Sequence, residues 1–286
     1  MELSEFQNMT AANEIYAVDD PVGFLLHGIV GEAGVLNHDY KKHLRDNSSK
    51  DVFSRRAYEE LGDLMWYIAR LAAQLDLDLA DIAVSNLEKS KDRWGHSDVE
   101  GDSLDSNAPG DQRFPDSFEI AFSDVGGVVQ MYFEEAELGD AIDSNAHDDD
   151  GYRFHDVFHL AHASVLGWSP TLRSLLGRKR KFDDDVDRVE DGARAIFTEE
   201  AIVTVVFRHA EQHGFYDGVS HVESTLLTTI STMVSGLEVS SRSSADWETA
   251  ILQGCEAFRT LKANNGGIAC CDLRSRSLVV NPSRLA

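Results

Sequence analysis

From residue 22 to residue 94 the apolar side chains keep a helical period through three successive segments, and this regularity limits the fold more than any other feature of the chain. Residues 22–44 hold Phe24, Leu25, Ile29, Val30, Ala33 and Leu36 in step and end in the polar run RDNSSKD. A second helix is predicted from about Val52 to Leu75, with Leu61, Leu64, Met65, Ile68 and Leu71 on one face. A third runs from about Leu79 to Trp94, with Ile82, Ala83, Leu87 and Lys91 in step. Long helices joined by short polar connections pack as antiparallel neighbours.

After Trp94 the pattern changes. GHSDVEGDSLDSNAPGDQRFPDS reads as a linker by composition. FEIAF and VVQMYF then flank DVGG as an antiparallel hairpin, and GGIACCDLRSRSLVV near the C-terminus reads as a second short one. Between them the helical period returns in FHDVFHLAHASVLGW, PTLRSLLGRKRK and GARAIFTEEAIVTVVFRHAEQHG, and again over residues 219–238 and 245–263. The 286 residues therefore predict a mainly α protein: a helical domain over 1–96, an acidic linker over 97–116, and a β-hairpin plus all-α C-terminal domain over 117–286.

A formal charge of −24 argues against nucleic acid or an anionic membrane as partner. The acidity is concentrated, since Asp98 to Asp150 holds 16 acids against Arg113 alone. That stretch reads as a solvating surface. Cys255, Cys270 and Cys271 offer no CxxC spacing and no disulfide framework. The polar N-terminal residues and the lack of a long apolar run predict a cytoplasmic protein.

Within EELGDLMWY, Glu60 and Asp63 lie three residues apart and so share a helix face, with Glu59 beside them. Acids early in a helix also suit its dipole, which accounts for Glu59 better than for Asp63, flanked as it is by leucines. Glu32 on the preceding helix brings a third carboxylate to the same gap. Oxygen-only donors of this kind suit Mg²⁺ or Mn²⁺. One turn beyond Glu32, where a further acid would share its face, stands Val35. Asp39 lies one turn further on, still near that face. Lys41 and Lys42 offer charge to a phosphate or complement the helix C-terminus.

GEAG…KK, then EELGDLMWYIARLA, then NLEKSKDRW resemble, in order, the motifs of the MazG-type all-α nucleoside triphosphate pyrophosphohydrolases; the likeness covers roughly residues 1–95. In that family an ExxE helix faces an ExxD helix and four acids bind divalent metals. The resemblance implies hydrolysis between the α- and β-phosphates, releasing a monophosphate and pyrophosphate. Glu32 matches the first acid, Glu60 the third and Asp63 the fourth, while Val35 replaces the second. Asn86, Lys89 and Arg93 match a later helix that meets the phosphates, with Lys42 as a further contact. The resemblance also implies assembly as a homo-oligomer, or as an internal pseudo-dimer if the C-terminal half is a diverged repeat. The C-terminal segment is similar to a region attached to some MazG-like proteins.

A second constellation lies in YRFHDVFHLAHA, where His155, His159 and His162 form one stripe with Asp156 alongside. Downstream, Glu199 and Glu200 interrupt the apolar run of Ile196, Phe197, Ala201 and Ile202, so at least one of them points inward and needs a partner. The histidine stripe is the natural one, as a metal site or active site. RKRKFDDD offers charge to phosphates or balances its own aspartates, and is read as the second. Three readings follow: a metal-dependent pyrophosphohydrolase centred on the N-terminal acids, a nucleotide-binding sensor or dimerisation domain with a separate phosphohydrolase site at His155, Asp156, His159, Glu199 and Glu200, or a scaffold whose polar clusters are internal ion pairs. Phe6, Trp66 and Trp94 could each stack on a base but are read as core.

Overall fold

The helical period of the first third is realised in a computed structural model, which describes residues 1–12, 18–95 and 103–282. The chain divides into two units, Met1–Lys91 and Asp92–Ala286.

In the first unit, Asp20 caps α2 (Pro21–Asp46) by accepting a hydrogen bond from the Gly23 amide at 2.9 Å, and Pro21 supplies a ready-made first turn. Asn47, with φ 49°, ends α2 in the left-handed region and turns the chain into α3 (Lys50–Gln74). The two helices are antiparallel. Tyr40 and His43 meet Phe53 at one end, with ring centroids 5.4 and 5.3 Å apart, and Phe24 meets Tyr67 toward the other at 6.4 Å. Gly28 makes that second approach close: a Cβ there would stand 2.2 Å from the Tyr67 ring. A short helix the periodicity had not indicated, α1 (Leu3–Ala11), is held by Gln7, whose side chain bonds the Leu77 carbonyl and the Leu79 amide, each at 2.8 Å. The last helix, α4 (Leu79–Trp94), crosses the boundary between the units. Leu25, Ala69, Ala72 and Leu79 form a small buried core, whereas Val30, Leu61, Met65 and Ile68 are exposed.

The second unit corrects the expectation of a hairpin insert followed by an all-α domain. Strands β1 (Ser117–Val125), β2 (Val128–Phe133), β3 (Ala136–Ile142), β4 (Gly266–Asp272) and β5 (Ser277–Asn281) form a single antiparallel sheet in the order β3-β2-β1-β4-β5. The two predicted hairpins are real, but β1 pairs with β4, placing Ile120 opposite Ala269 and Phe118 opposite Cys271. Phe118, Ile120 and Phe122 alternate inward along β1 and require a cover. Phe154, Phe158, Phe207, Phe258 and Leu261 join them in one core.

The helical side of this core comes from α5 (Val157–Ala161), α6 (Pro170–Leu175), α8 (Ala193–Gln212), α9 (Ser224–Met233) and α10 (Ser244–Asn264), with the 3₁₀ turn Tyr152–Phe154 ahead of α5, while α7 (Asp184–Val189) buries no residue. Residues 162–166 continue α5 as a π-helical turn ended by Gly167. The helix expected over 219–238 is shorter, and Gly236, at φ 90°, lies beyond its end. Of the predicted linker, residues 96–102 lie outside the described residues. Residues 103–116 belong to the second unit, because Ala108 and Phe114 are buried and Asp105 is paired with Arg173. Among the described residues no helix is long and apolar enough to cross a membrane.

Gly254, in the middle of α10, lets α5 close against it; a Cβ there would lie 2.8 Å from Phe158 and 3.3 Å from the Ala161 methyl. Alanine would gain about 1 kcal/mol in helix propensity. The overpacking of a fully buried ring costs about 1–3 kcal/mol. Gly254→Ala is therefore expected to destabilise the second unit on balance, and a rise in the urea midpoint would contradict this packing.

Candidate functional site

Glu32 projects from α2, and Glu60 and Asp63 project from the next helix. One carboxylate oxygen from each lies within 4.8 Å of the others. Burial, and the negative charge of Glu32, Asp63 and Asp39, hold the Glu60 carboxyl above its ordinary range. A set of oxygen donors that repel one another fits a hard divalent cation, whose charge relieves the repulsion.

The remaining predicted residues divide by placement. Asp39 stands outside the converging trio; its Oδ1 accepts a hydrogen bond from Arg56 at 3.3 Å. Glu59 is exposed beside Glu60, and Val35 is 43 % exposed on the helix that bears Glu32. Lys42 borders a hollow near the α2–α3 turn together with Asp39, His43, Asp46 and Arg56. Asn86 and Lys89 are exposed on α4. Arg93, expected to meet phosphate, instead belongs to the second unit. Its Nη2 donates to Glu248 Oε2 at 2.9 Å and to the Val222 carbonyl at 3.1 Å, because α4 runs on past the boundary.

The second constellation assembles around His159, which is 1 % exposed. Its Nδ1 lies 3.0 Å from Glu199 Oε1 and its Nε2 3.4 Å from Glu200 Oε1. Glu199 also lies 3.1 Å from His162 Nδ1 and accepts the Thr171 amide at 2.9 Å. His155 Nδ1 bonds the Tyr152 carbonyl at 2.9 Å, and its ring stacks on that of Tyr152 at 4.1 Å. Asp156 Oδ1 is 3.8 Å from His155 Nε2.

Burial opposes the charged forms of both Glu199 and His159. Their mutual attraction outweighs it, so the carboxyl falls far below the usual carboxylate range and the imidazole rises well above its own. Burial dominates at His155 and lowers its pKa, against the pull of Asp156. Burial likewise pushes the Cys255 and Cys271 thiols up to about 12, which removes them as nucleophiles at neutral pH.

Sequence reasoning missed two groups. His209 and His213 sit one turn apart at the end of α8 and meet Glu223; the HAEQH spacing was the available signal. Arg180, read as balancing the aspartates after it, reaches Asp191 at 2.7 Å and Glu238 at 2.6 Å instead. Nothing local in the sequence marks that pairing.

A family model described as the MazG C-terminal domain matches residues 99–284. The chain belongs to this family. The MazG-like chain is also similar to the Gene 37 protein of Mycobacterium phage L5, at 38 % identity over 82 residues, which is 28 % of this chain and 72 % of the phage protein. No solved structure matches it.

Proposed function

We propose that this MazG-like chain is a metal-dependent nucleotide pyrophosphohydrolase, converting nucleoside or deoxynucleoside triphosphates to monophosphates and pyrophosphate. The observation that carries the reading is the meeting of Glu32, Glu60 and Asp63 between two antiparallel helices. The motif resemblance of the first third and the family of the remainder support the same class of chemistry. Mg²⁺ or Mn²⁺ held by the three acids, with Asp39 behind them, would neutralise phosphate charge and acidify a bound water. Glu60 or the adjacent Glu59 orients the attacking water and takes its proton. Lys42, Asn86 and Lys89 contact the triphosphate, and a lysine near the leaving pyrophosphate offsets its developing charge.

The exposed apolar residues Val30, Leu61, Met65 and Ile68 support a second copy of the chain as the partner that closes the pocket. The sheet and short helices of the second unit give less support to an internal pseudo-copy. Cys255 and Cys271, buried and outside any disulfide, suit a reducing, cytoplasmic setting.

One observation favours a second reading. Val35 leaves the acid set one member short, so the N-terminal unit could bind nucleotide without cleaving it, as a sensor or dimerisation domain. Product analysis over a panel of ribo- and deoxyribonucleoside triphosphates with Mg²⁺ or Mn²⁺ separates the two. Monophosphate with pyrophosphate supports the enzyme. Tight binding without turnover supports the sensor, and orthophosphate release would move the chemistry to the second unit. Val35→Glu restores a carboxylate one turn from Glu32 and is expected to raise Mg²⁺ affinity. Unchanged affinity in a calorimetric titration would mean that position 35 does not face the site.

A further inference from the structure

The geometry points to a second metal centre inside the second unit: we infer that His155 Nε2, His159 Nε2 and a Glu200 oxygen together take a divalent transition metal of the zinc class. These three residues offer donor atoms that all lie within 4.8 Å of one another. A zinc ion with bonds of about 2.05 Å to tetrahedral ligands sets neighbouring donors about 3.3 Å apart. The 3.4 Å between His159 Nε2 and Glu200 Oε1 fits that edge.

The orientation of each ring matches the role. The Tyr152 carbonyl, 2.9 Å from His155 Nδ1, accepts the proton there, so the lone pair of the neutral ring lies on Nε2, and the stacked Tyr152 ring fixes its plane. Behind His159, Glu199 Oε1 stands 3.0 Å from Nδ1 and is itself held by the Thr171 amide and His162. A carboxylate on the outer nitrogen of an imidazole is the arrangement that orients metal-bound histidines.

His159 supplies the independent observation. It is 1 % exposed, yet neither ring nitrogen has a hydrogen bond of acceptable direction, although carboxylate oxygens stand close to both. A buried imidazolium set between two carboxylates without aligned hydrogen bonds is costly, and a metal taking the place of its Nε2 proton supplies the same charge with a directed bond. The Glu200 side chain, 40 % exposed, leaves that edge open to solvent. Three protein ligands and an open position are the form of a catalytic rather than a structural zinc site, and nitrogen donors separate this centre from the oxygen-only cluster of the first unit.

The test is metal binding by the full chain, first stripped with a chelator and then titrated with Zn²⁺ and Co²⁺. Wild type is expected to take up a tight equivalent. Glu200→Gln, an isosteric change at a partly exposed side chain, is expected to weaken it by more than the about 10–100-fold that loss of an outer-shell partner costs. Glu199→Gln should fall within that range, and His155→Ala should lose the equivalent. The His209→Ala/His213→Ala double variant removes the histidine pair at the end of α8 and should keep it, as should Asp63→Ala. Absence of a tight equivalent in wild type, or its loss in the α8 double variant or in Asp63→Ala but not in Glu200→Gln, would overturn the assignment. Turnover of nucleotides does not enter this readout, so it stands or falls separately from the pyrophosphohydrolase reading.

Discussion

Glu60→Gln is expected to reduce nucleotide turnover by about 10²–10⁴-fold while leaving the metal-free protein at least as resistant to heat as wild type. Both effects have one cause. Glu60 is half-buried against Glu32 and Asp63, and burial with those like charges raises its pKa. For a carboxyl whose folded pKa lies above its unfolded one, the destabilisation is absent below the unfolded pKa and complete above the folded pKa. Above that folded pKa the metal-free protein carries the destabilisation, and glutamine removes it. The same repulsion makes the site a metal ligand, so Mg²⁺ is expected to raise the thermal midpoint of wild type and to raise that of Glu60→Gln less. Initial rates and melting curves with and without Mg²⁺ check both halves. A variant that keeps full activity would remove Glu60 from the site, and one that melts well below wild type would show that it holds the helices together instead.

Asp191→Ala is expected to destabilise the second unit by about 3–5 kcal/mol, a large share of the stability of a domain this size. Asp191 is 1 % exposed and accepts hydrogen bonds from the Arg180 backbone amide at 2.6 Å and from Arg180 Nη2 at 2.7 Å, with Arg173 Nε 3.7 Å away. Arg173 and Arg180 are each 2 % exposed, and burial with its neighbour Arg180 lowers the pKa of Arg173. Without Asp191, Asp105 and Glu238 must hold two buried cations alone.

Acid weakens the same network more gradually. Burial raises the pKa of Asp105, but hydrogen bonds from Ser103, the Phe114 amide and Arg173 outweigh it and bring the carboxyl below its ordinary value. A depressed folded pKa gives stability that is complete above the unfolded pKa, about 4, and is lost as pH falls through the folded one. Urea unfolding followed at pH 7 and at decreasing pH tests both statements. A loss under about 1 kcal/mol for Asp191→Ala would mean that water reaches the arginines.

The sequence by itself determined the helices of the first third. Segments predicted over 22–44, 52–75 and 79–94 are observed at 21–46, 50–74 and 79–94, because period, caps and breakers act within a few residues. It also placed Glu60 and Asp63 on one face, since i and i+3 are neighbours on any helix. In the second unit it found both hairpins, whose turns are local.

Only the tertiary structure decided what required distant partners. The β1–β4 pairing joins residues about 150 positions apart and makes one sheet of two hairpins. Asp105 and Phe114, polar and apolar members of an acidic stretch, became buried only when Arg173 and the core met them. Arg93 faces Glu248 because α4 continues past the boundary, and Arg180 chose Asp191 and Glu238 over the aspartates next to it in sequence. Charge and hydrogen-bonding capacity are written in the residue; which opposite charge fills it is fixed by the burial that excludes water, and burial is a property of the packed chain.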